Sequence, residues 1–495
     1  MQGRSIRFGI VVGLLVTAMG AFFAGGARAA DGERLWSGVA QLQGVELPLT
    51  LRLTPTPGGG WSGAMDIPSQ GIIGARIGEL QLTELSMGFT LPLPGMPEEL
   101  IPSFDLKIDE AGTTAVGIIT QGGMSFPVTL EYTSAEAIAA AVAARRPQTP
   151  RPPFPYRAIE VGVPVVAGGE RTHELAGTLL LPDPAEFGDG PYACAVLLTG
   201  SGPQDRDETI FEHKPLAVVA DALARAGVAT LRCDDRGVGD SGGDFAAADS
   251  YDFADDAYAQ VVFAGHRPEI DRGRVGLIGH SEGGLTAAMV AADQPEAVSF
   301  VVTLAGMGLT GRETLIGQAA AMMRLGGTPE DMVARNKELQ GVFYDLVESK
   351  APIEEQIAAM RALVENQMGD EAAGVPEAQM QQIVGQQMSV FDSPWMKLLL
   401  VIDPARYLQR VRQPVLVMNG ELDVQVLPDT NIAAITEALE SVGNERVTVR
   451  RFPGLNHLFQ NAPTGSMAEY TEIRETFDTG ALRFMVDWVV GVTTG

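Results

Sequence analysis

Two short strings, Gly279-His280-Ser281-Glu282-Gly283 and Gly239-Asp240-Ser241-Gly242-Gly243, place a serine between glycines two residues away on either side. This spacing suits a nucleophilic serine on a sharp strand-to-helix turn, where the neighbours must be very small. With 58 glycines in the chain the pattern alone decides little. The flanking residues favour Ser281: residues 274–278 read as a buried strand and 285–292 as a helix. Gly242-Gly243-Asp244 starts no convincing helix after Ser241.

A serine nucleophile needs a base. The chain has five histidines: His173, His213, His266, His280 and His457. His280 adjoins the nucleophile and points the wrong way. In a strand–serine–helix topology the base follows the last strand, and the first three histidines precede Ser281. His457 remains, behind a strand-like run at 447–452 and a Pro453-Gly454-Leu455-Asn456 loop. The acid belongs just beyond the strand at 415–418. There Asn419-Gly420-Glu421-Leu422 makes a turn with Asp423 at its exit; Glu421 is the main competitor and Asp429 a further candidate. The order Ser, Asp, His differs from the chymotrypsin and subtilisin orders. The developing oxyanion needs two backbone N–H groups. One is that of Glu282; the other is assigned to Ser201, with Gly202 next, in the loop Thr199-Gly200-Ser201-Gly202-Pro203. Pro203 has no N–H to offer.

The elements that must position these residues follow from hydrophobic patterning. From about residue 156, apolar runs ending at Thr199, Cys233, His280, Leu304, Asn419 and Phe452 alternate with helical stretches such as 214–226 and 252–265. That pattern predicts a largely parallel sheet flanked by helices, with core segments at 156–305 and 401–495. A helix-only block at 306–400 interrupts it and reads as a cap over the site; Thr328-Pro329-Glu330-Asp331 is a helix start within it. The block holds nine of the chain's 19 methionines, Met307, Met322, Met323, Met332, Met360, Met368, Met380, Met388 and Met396. They suit either an adaptable acyl wall or ordinary helix core. Residues 31–134 show short alternating runs (45–51, 104–108, 126–130) between Gly, Pro and Asp turns, as expected of a small antiparallel β-rich domain, with Trp36 and Trp61 as core aromatics. Residues 135–155, rich in alanine and then proline, read as a stiff linker. Cys194 and Cys233 lie at different depths of adjacent strand-like runs, too far apart for a disulfide; two buried free thiols are expected.

The 495 residues carry 45% hydrophobic and 20% charged side chains and a formal charge of −27. Residues 1–29 read as a cleaved secretory signal: Arg4 and Arg7, an apolar stretch at 8–23, then Ala27-Arg28-Ala29. This implies a periplasmic or extracellular protein without a stable membrane anchor. The anionic balance argues against nucleic acid as a partner. No metal-ligand cluster or nucleotide loop is present, so no cofactor and no metal are implied.

Taken with Gly200-Ser201-Gly202-Pro203-Gln204-Asp205-Arg206-Asp207, Asp235-Arg236-Gly237-Val238-Gly239-Asp240-Ser241 and Asn456-His457-Leu458-Phe459, the nucleophile motif resembles the α/β-hydrolase superfamily over about residues 156–495. The likeness is to its bacterial carboxylesterase branch, whose relatives are often labelled serine aminopeptidase-like. The resemblance implies an α/β-hydrolase fold with a helical cap insertion, and makes 235–241 a structural turn near the site. Gly-Asp-Ser-Gly-Gly at 239–243 also resembles chymotrypsin-like proteases, but the upstream histidines lack the context that reading requires. The expected activity is hydrolysis of a small-molecule carboxylic ester through an acyl-enzyme on Ser281. A serine peptidase or aminopeptidase, a thioesterase or an acyltransferase would use the same triad. A non-catalytic binding protein fits poorly with a filled triad.

Overall fold

The computed structural model describes residues 33–494 except 43–44, 57, 68–71, 93–100 and 168–169. The segment read as an export signal lies outside the described residues. The chain divides into two compact units. One takes the described residues up to Pro147 with Ile210–His213, and the other takes Gln148–Thr209 and Lys214–Gly495.

The first unit is a nine-stranded antiparallel sheet in the order β4-β3-β2-β1-β9-β8-β7-β6-β5. Its strands are β1 (Arg34–Leu42), β2 (Val45–Pro55), β3 (Trp61–Ile67), β4 (Ile72–Arg76), β5 (Gly78–Leu82), β6 (Ser86–Thr90), β7 (Ser103–Ile108), β8 (Thr114–Gln121) and β9 (Met124–Thr133). Alternation creates its single buried face: Phe104, Leu106 and Ile108 of β7 point inward while Ser103, Asp105 and Lys107 stay exposed. Trp36 is buried in this core. Trp61 is half-buried and packs against the edge of this core, with the Arg34 guanidinium 4.7 Å above its ring. The alanine-rich part of the supposed linker is a helix, α1 (Ala135–Arg145), because the Ser134 hydroxyl caps it by accepting from the Ala137 N–H at 3.1 Å.

The proline-rich part is not a free spacer either. The Gln148 carboxamide accepts from the Phe477 N–H at 3.0 Å and donates to the Phe477 carbonyl at 2.7 Å, within the second unit. The Tyr156 hydroxyl donates to Asp221 at 2.7 Å.

The second unit contains an eight-stranded sheet in the order β10-β11-β13-β12-β14-β15-β16-β17. Its strands are β10 (Arg157–Ala167), β11 (Glu170–Leu181), β12 (Tyr192–Leu198), β13 (Ala229–Cys233), β14 (Ile270–His280), β15 (Val301–Leu304), β16 (Val415–Gly420) and β17 (Val447–Phe452). β10 and β11 form an antiparallel hairpin, and β11 is also antiparallel to β13. The sheet is parallel from β13 through β17. The apolar-run pattern misses the hairpin because β11 is polar at its start and buried only over its second half. In the parallel part, Val196 and Leu277 face one core, whereas Leu197 and Ile278 face the other. Cys194 pairs with Ala229, leaving Cys233 about 13 Å further along at ~3.3 Å per residue. Both thiols are free and buried, and burial pushes that of Cys194 up to about 12.

The helices of this unit are α2 (Pro184–Phe187), α3 (Pro215–Arg225), α4 (Ser250–Gly265), α5 (Glu282–Asp293), α6 (Gly311–Leu325), α7 (Glu330–Glu348), α8 (Ile353–Met368), α9 (Glu377–Val390), α10 (Pro394–Val401), α11 (Ala405–Leu408), α12 (Pro428–Glu440) and α13 (Thr479–Thr494). Helices α6 to α11 lie between β15 and β16. The start of α7 departs from expectation: Pro329, not Thr328, occupies the capping position, and no side chain caps the helix. Proline's fixed φ and absent N–H suit it to the edge of a helix. Six of the block's methionines, Met307, Met360, Met368, Met380, Met388 and Met396, are buried in the core that joins these helices to one face of the sheet. No helix among the described residues is long and apolar enough to cross a membrane.

Candidate active site

Ser281 lies between β14 and α5 with φ 52° and ψ −118°, a left-handed conformation that side-chain-bearing residues rarely adopt. Such a backbone costs about 1–3 kcal/mol and persists only where its surroundings enforce it. Two glycines make it possible. A Cβ on Gly279 would collide with the Gly283 carbonyl, and one on Gly283 would sit 2.5 Å from the Thr199 oxygen. The Ser281 N–H donates to the Leu304 carbonyl at 2.8 Å, fastening the turn to the end of β15.

His457 follows β17. Its loop is organised by Asn456, whose side-chain oxygen accepts the N–H groups of Leu458 (3.1 Å) and Gln460 (2.9 Å). The loop packs on the end of β16, where a Cβ on Gly420 would strike the Leu455 and Asn456 carbonyls. The His457 Nδ1–H donates to Asp423 Oδ2 at 2.8 Å. Asp423 is 2% exposed. Its Oδ2 also accepts from Asn419 at 3.0 Å, while Oδ1 accepts the N–H groups of Gln425 (2.8 Å) and Val426 (2.9 Å). With Nδ1 so engaged, Nε2 is left as the free lone pair that a general base requires. Glu421 is exposed, and Asp429 pairs with Arg451.

The loop from Thr199 to Gln204 is held by three carboxylates, those of Glu208 and Glu282 buried and that of Asp235 partly so. Asp235 accepts from the Thr199 hydroxyl and the Gln204 N–H, both at 2.8 Å. Burial pushes the Asp235 carboxyl well above its ordinary range, although these two hydrogen bonds oppose that. Glu208 accepts the Gly200 N–H at 2.8 Å, and Glu282 accepts the Ser201 hydroxyl at 2.9 Å. Gly200 N–H is therefore occupied, whereas those of Ser201 and Gly202 take no acceptor among the described residues. The Glu282 N–H stands at the first position of α5, where no intrahelical acceptor exists. Ser201 and Glu282, read from the sequence as oxyanion donors, are thus neighbours.

Ser241 occupies a different environment. Its hydroxyl donates to the Asp234 carbonyl and accepts the Ala176 N–H, both at 2.8 Å. Both functions of the group are used to pin a turn to β11. His173 pairs with Asp256 at 3.1 Å, and the ring of the exposed His266 contacts its own helix at the Val262 carbonyl, 2.7 Å away. A pocket of about 50 Å³ beside the oxyanion loop is lined by Gly200, Gly202, Asp235, Gln260, Glu282 and Thr286. Its lining includes neither Ser281 nor His457. Among the described residues no cluster of His, Cys, Asp and Glu is arranged to hold a metal ion.

Residues 120–452 match the family model of the X-Pro dipeptidyl-peptidases (S15 family). The chain belongs to the S15 family. Esterase EstD of Thermotoga maritima is 24% identical to this S15-family chain over 284 residues, 57% of this chain and 58% of EstD. The chain thus spans less than two thirds of that relative. Among solved structures, a Pyrococcus furiosus esterase aligns with a TM-score of 0.40 at 15% identity, covering 68% of this chain and 92% of the esterase. Ferulic-acid-bound Est1E from Butyrivibrio proteoclasticus aligns with a TM-score of 0.37 at 15% identity, covering 66% and 95%.

Sequence reasoning passed over Glu208, Asn419, Ser250 and Trp395 as parts of this S15-family site. Glu208, Ser250 and Trp395 are held by partners distant in sequence, whereas Asn419 binds Asp423 and Val426, four and seven residues further on. Glu208 carried a faint signal, directly following the 200–207 string.

Proposed function

We propose that the protein is a serine hydrolase that cleaves carboxylic esters through an acyl-enzyme on Ser281. His457 Nε2 takes the hydroxyl proton as Ser281 Oγ attacks the acyl carbonyl. Asp423 holds the imidazole in the required tautomer and stabilises the imidazolium. The N–H groups of Ser201 and Glu282 receive the tetrahedral oxyanion. His457 then protonates the leaving alcohol, and water, deprotonated by the same imidazole, releases the acid and regenerates Ser281.

One observation carries the reading: a strained serine turn on the same sheet end as a buried His457–Asp423 pair whose outer nitrogen is free. The esterase name of the EstD relative favours esters. The family's name favours a second reading, in which the same triad cleaves peptide bonds after proline. A panel of nitrophenyl esters and X-Pro anilides on the purified protein decides between them. Ester turnover at least 100-fold above anilide turnover in kcat/KM supports the proposal, and the reverse ranking refutes it.

We further propose that α6 to α11 act as a cap whose inner face selects the acyl chain. Support comes from Trp395 of α10, whose indole N–H donates to Glu282 beside the nucleophile at 2.9 and 3.0 Å. The chain is proposed to be exported, on the strength of its N-terminal pattern, and to act on a small-molecule ester.

A further inference from the structure

We infer that Glu208 and His280 form a second carboxylate–imidazole pair, whose shared proton holds the oxyanion loop, the nucleophile turn and the His457 loop in working register. The inference rests on the triad proposed above and adds two positioning residues to it. Glu208 is 1% exposed and His280 5%. His280 Nδ1 lies 2.8 Å from Glu208 Oε1, and Nε2 lies 3.1 Å from the His457 carbonyl oxygen. A carbonyl only accepts, so Nε2 carries a hydrogen. Nδ1 then needs one as well, because a bare lone pair would face the carboxylate oxygen. That same oxygen accepts the Gly200 N–H at 2.8 Å, which favours the ionised carboxylate and hence an imidazolium.

Three segments meet at this pair. Glu208 grips the oxyanion loop at Gly200, immediately before Ser201. His280 immediately precedes Ser281 in the chain. Its far nitrogen grips the backbone of His457 itself. Both outer contacts of the pair go to backbone on either side of the reacting atoms.

The charged surroundings favour retention of the proton. The His457 ring is 4.7 Å away, with Asp423 behind it; Asp235, near Glu208 on the loop after β13, has its own carboxyl pushed well above the ordinary range and adds little charge. Burial works against the charged imidazole, but Glu208, the His457 carbonyl and Asp423 together raise it above the ordinary histidine value. When alkali removes the proton, Nδ1 and Oε1 repel each other, and Gly200 and His457 lose their shared anchor. Chemistry should then slow while ground-state binding changes little.

The test uses the full chain. With ¹⁵N-histidine labelling and assignment by loss of the signal in His280→Gln, both His280 ring nitrogens should be protonated at pH 8, where an imidazole of pKa ~6.5 is neutral. In kinetics, kcat should show an alkaline fall. Glu208→Gln should move that fall to lower pH and reduce kcat by up to about 100-fold at similar KM, and Glu208→Asp should restore part of the shift. A singly protonated His280 at pH 8, or an alkaline limb unmoved in Glu208→Gln, overturns the inference. The NMR measurement needs neither turnover nor a Glu208 variant, so it answers even if the esterase reading fails or Glu208→Gln does not fold.

Discussion

The indole of Trp395 donates to both carboxylate oxygens of Glu282, at 2.9 and 3.0 Å, and so ties the helical insertion to the residue following Ser281. Glu282 is 3% exposed and takes further hydrogen bonds from Ser250 and Ser201. Burial raises its carboxyl above the ordinary range, although all three donors counter this. A movement of α10 is therefore transmitted to the oxyanion loop through one side chain.

Replacing Trp395 by Phe keeps the apolar contact and removes the donor. Hydrogen bonds to charged groups contribute about 1.5–3 kcal/mol, so the variant should lose stability of that order. Its kcat should fall more than its KM changes, because the Ser201 anchor loosens. Denaturant unfolding and steady-state kinetics check both; unchanged kcat would detach the insertion from the oxyanion loop.

The two carboxylates of the β16 loop should behave differently. Asp423→Asn leaves the loop's backbone hydrogen bonds available but spoils the imidazole's orientation, so kcat should drop by about 10⁴-fold with the fold retained. Glu421→Gln, at an exposed position, should stay within a few-fold of the parent. Side-by-side esterase assays and circular dichroism distinguish them, and a larger effect at Glu421 would mean the wrong acid has been assigned.

Ser241 predicts a stability effect without a catalytic one. Its hydroxyl both donates to the Asp234 carbonyl and satisfies the part-buried Ala176 N–H, so its loss should cost about 1 kcal/mol, the low end for an unpaired donor. Ser241→Ala should melt earlier yet still react with a fluorophosphonate probe. Loss of labelling in a folded Ser241→Ala protein would contradict this assignment.

These contrasts show where the sequence was readable. Ser281 stood out because a strained turn demands glycines on both sides, and that demand is local in the chain. Asp423 followed because it sits just past β16, whose apolar run is plain, and His457 followed by elimination among five histidines, since β17 carries Arg450 and Arg451 and is apolar only in part. The β10–β11 hairpin was missed because the first half of β11 is polar and exposed and carries no apolar run. The helix at 135–145 was taken for linker because the proline-rich run after it dominated the reading, although alanine favours a helix and Ser134 offers a cap. Glu208 and Trp395 acquire their meaning only from partners 72 and 113 residues away, a separation no spacing rule reaches.

Stability should depend on pH through His280. Its imidazole is raised above the ordinary histidine value in the fold: burial lowers it, but Glu208, the His457 carbonyl and Asp423 outweigh that. A group of this kind contributes stability that is complete below its unfolded pKa of ~6.5 and is lost as the pH rises through the folded value. Tm should therefore decline on the alkaline side. The buried thiols contribute a decline of their own, so the difference between the parent and Glu208→Gln isolates the pair. That difference should be largest near pH 6 and shrink with alkali; a gap that widens with pH has the wrong sign for a shared proton.

The most direct test is where a fluorophosphonate attaches. Incubating the protein with the probe, digesting it and mapping the adduct by mass spectrometry should find a single modified serine, Ser281, with labelling and ester hydrolysis both abolished in Ser281→Ala. An adduct on Ser241 or any other serine, or ester hydrolysis surviving at parental rate in a folded Ser281→Ala protein, would contradict the account.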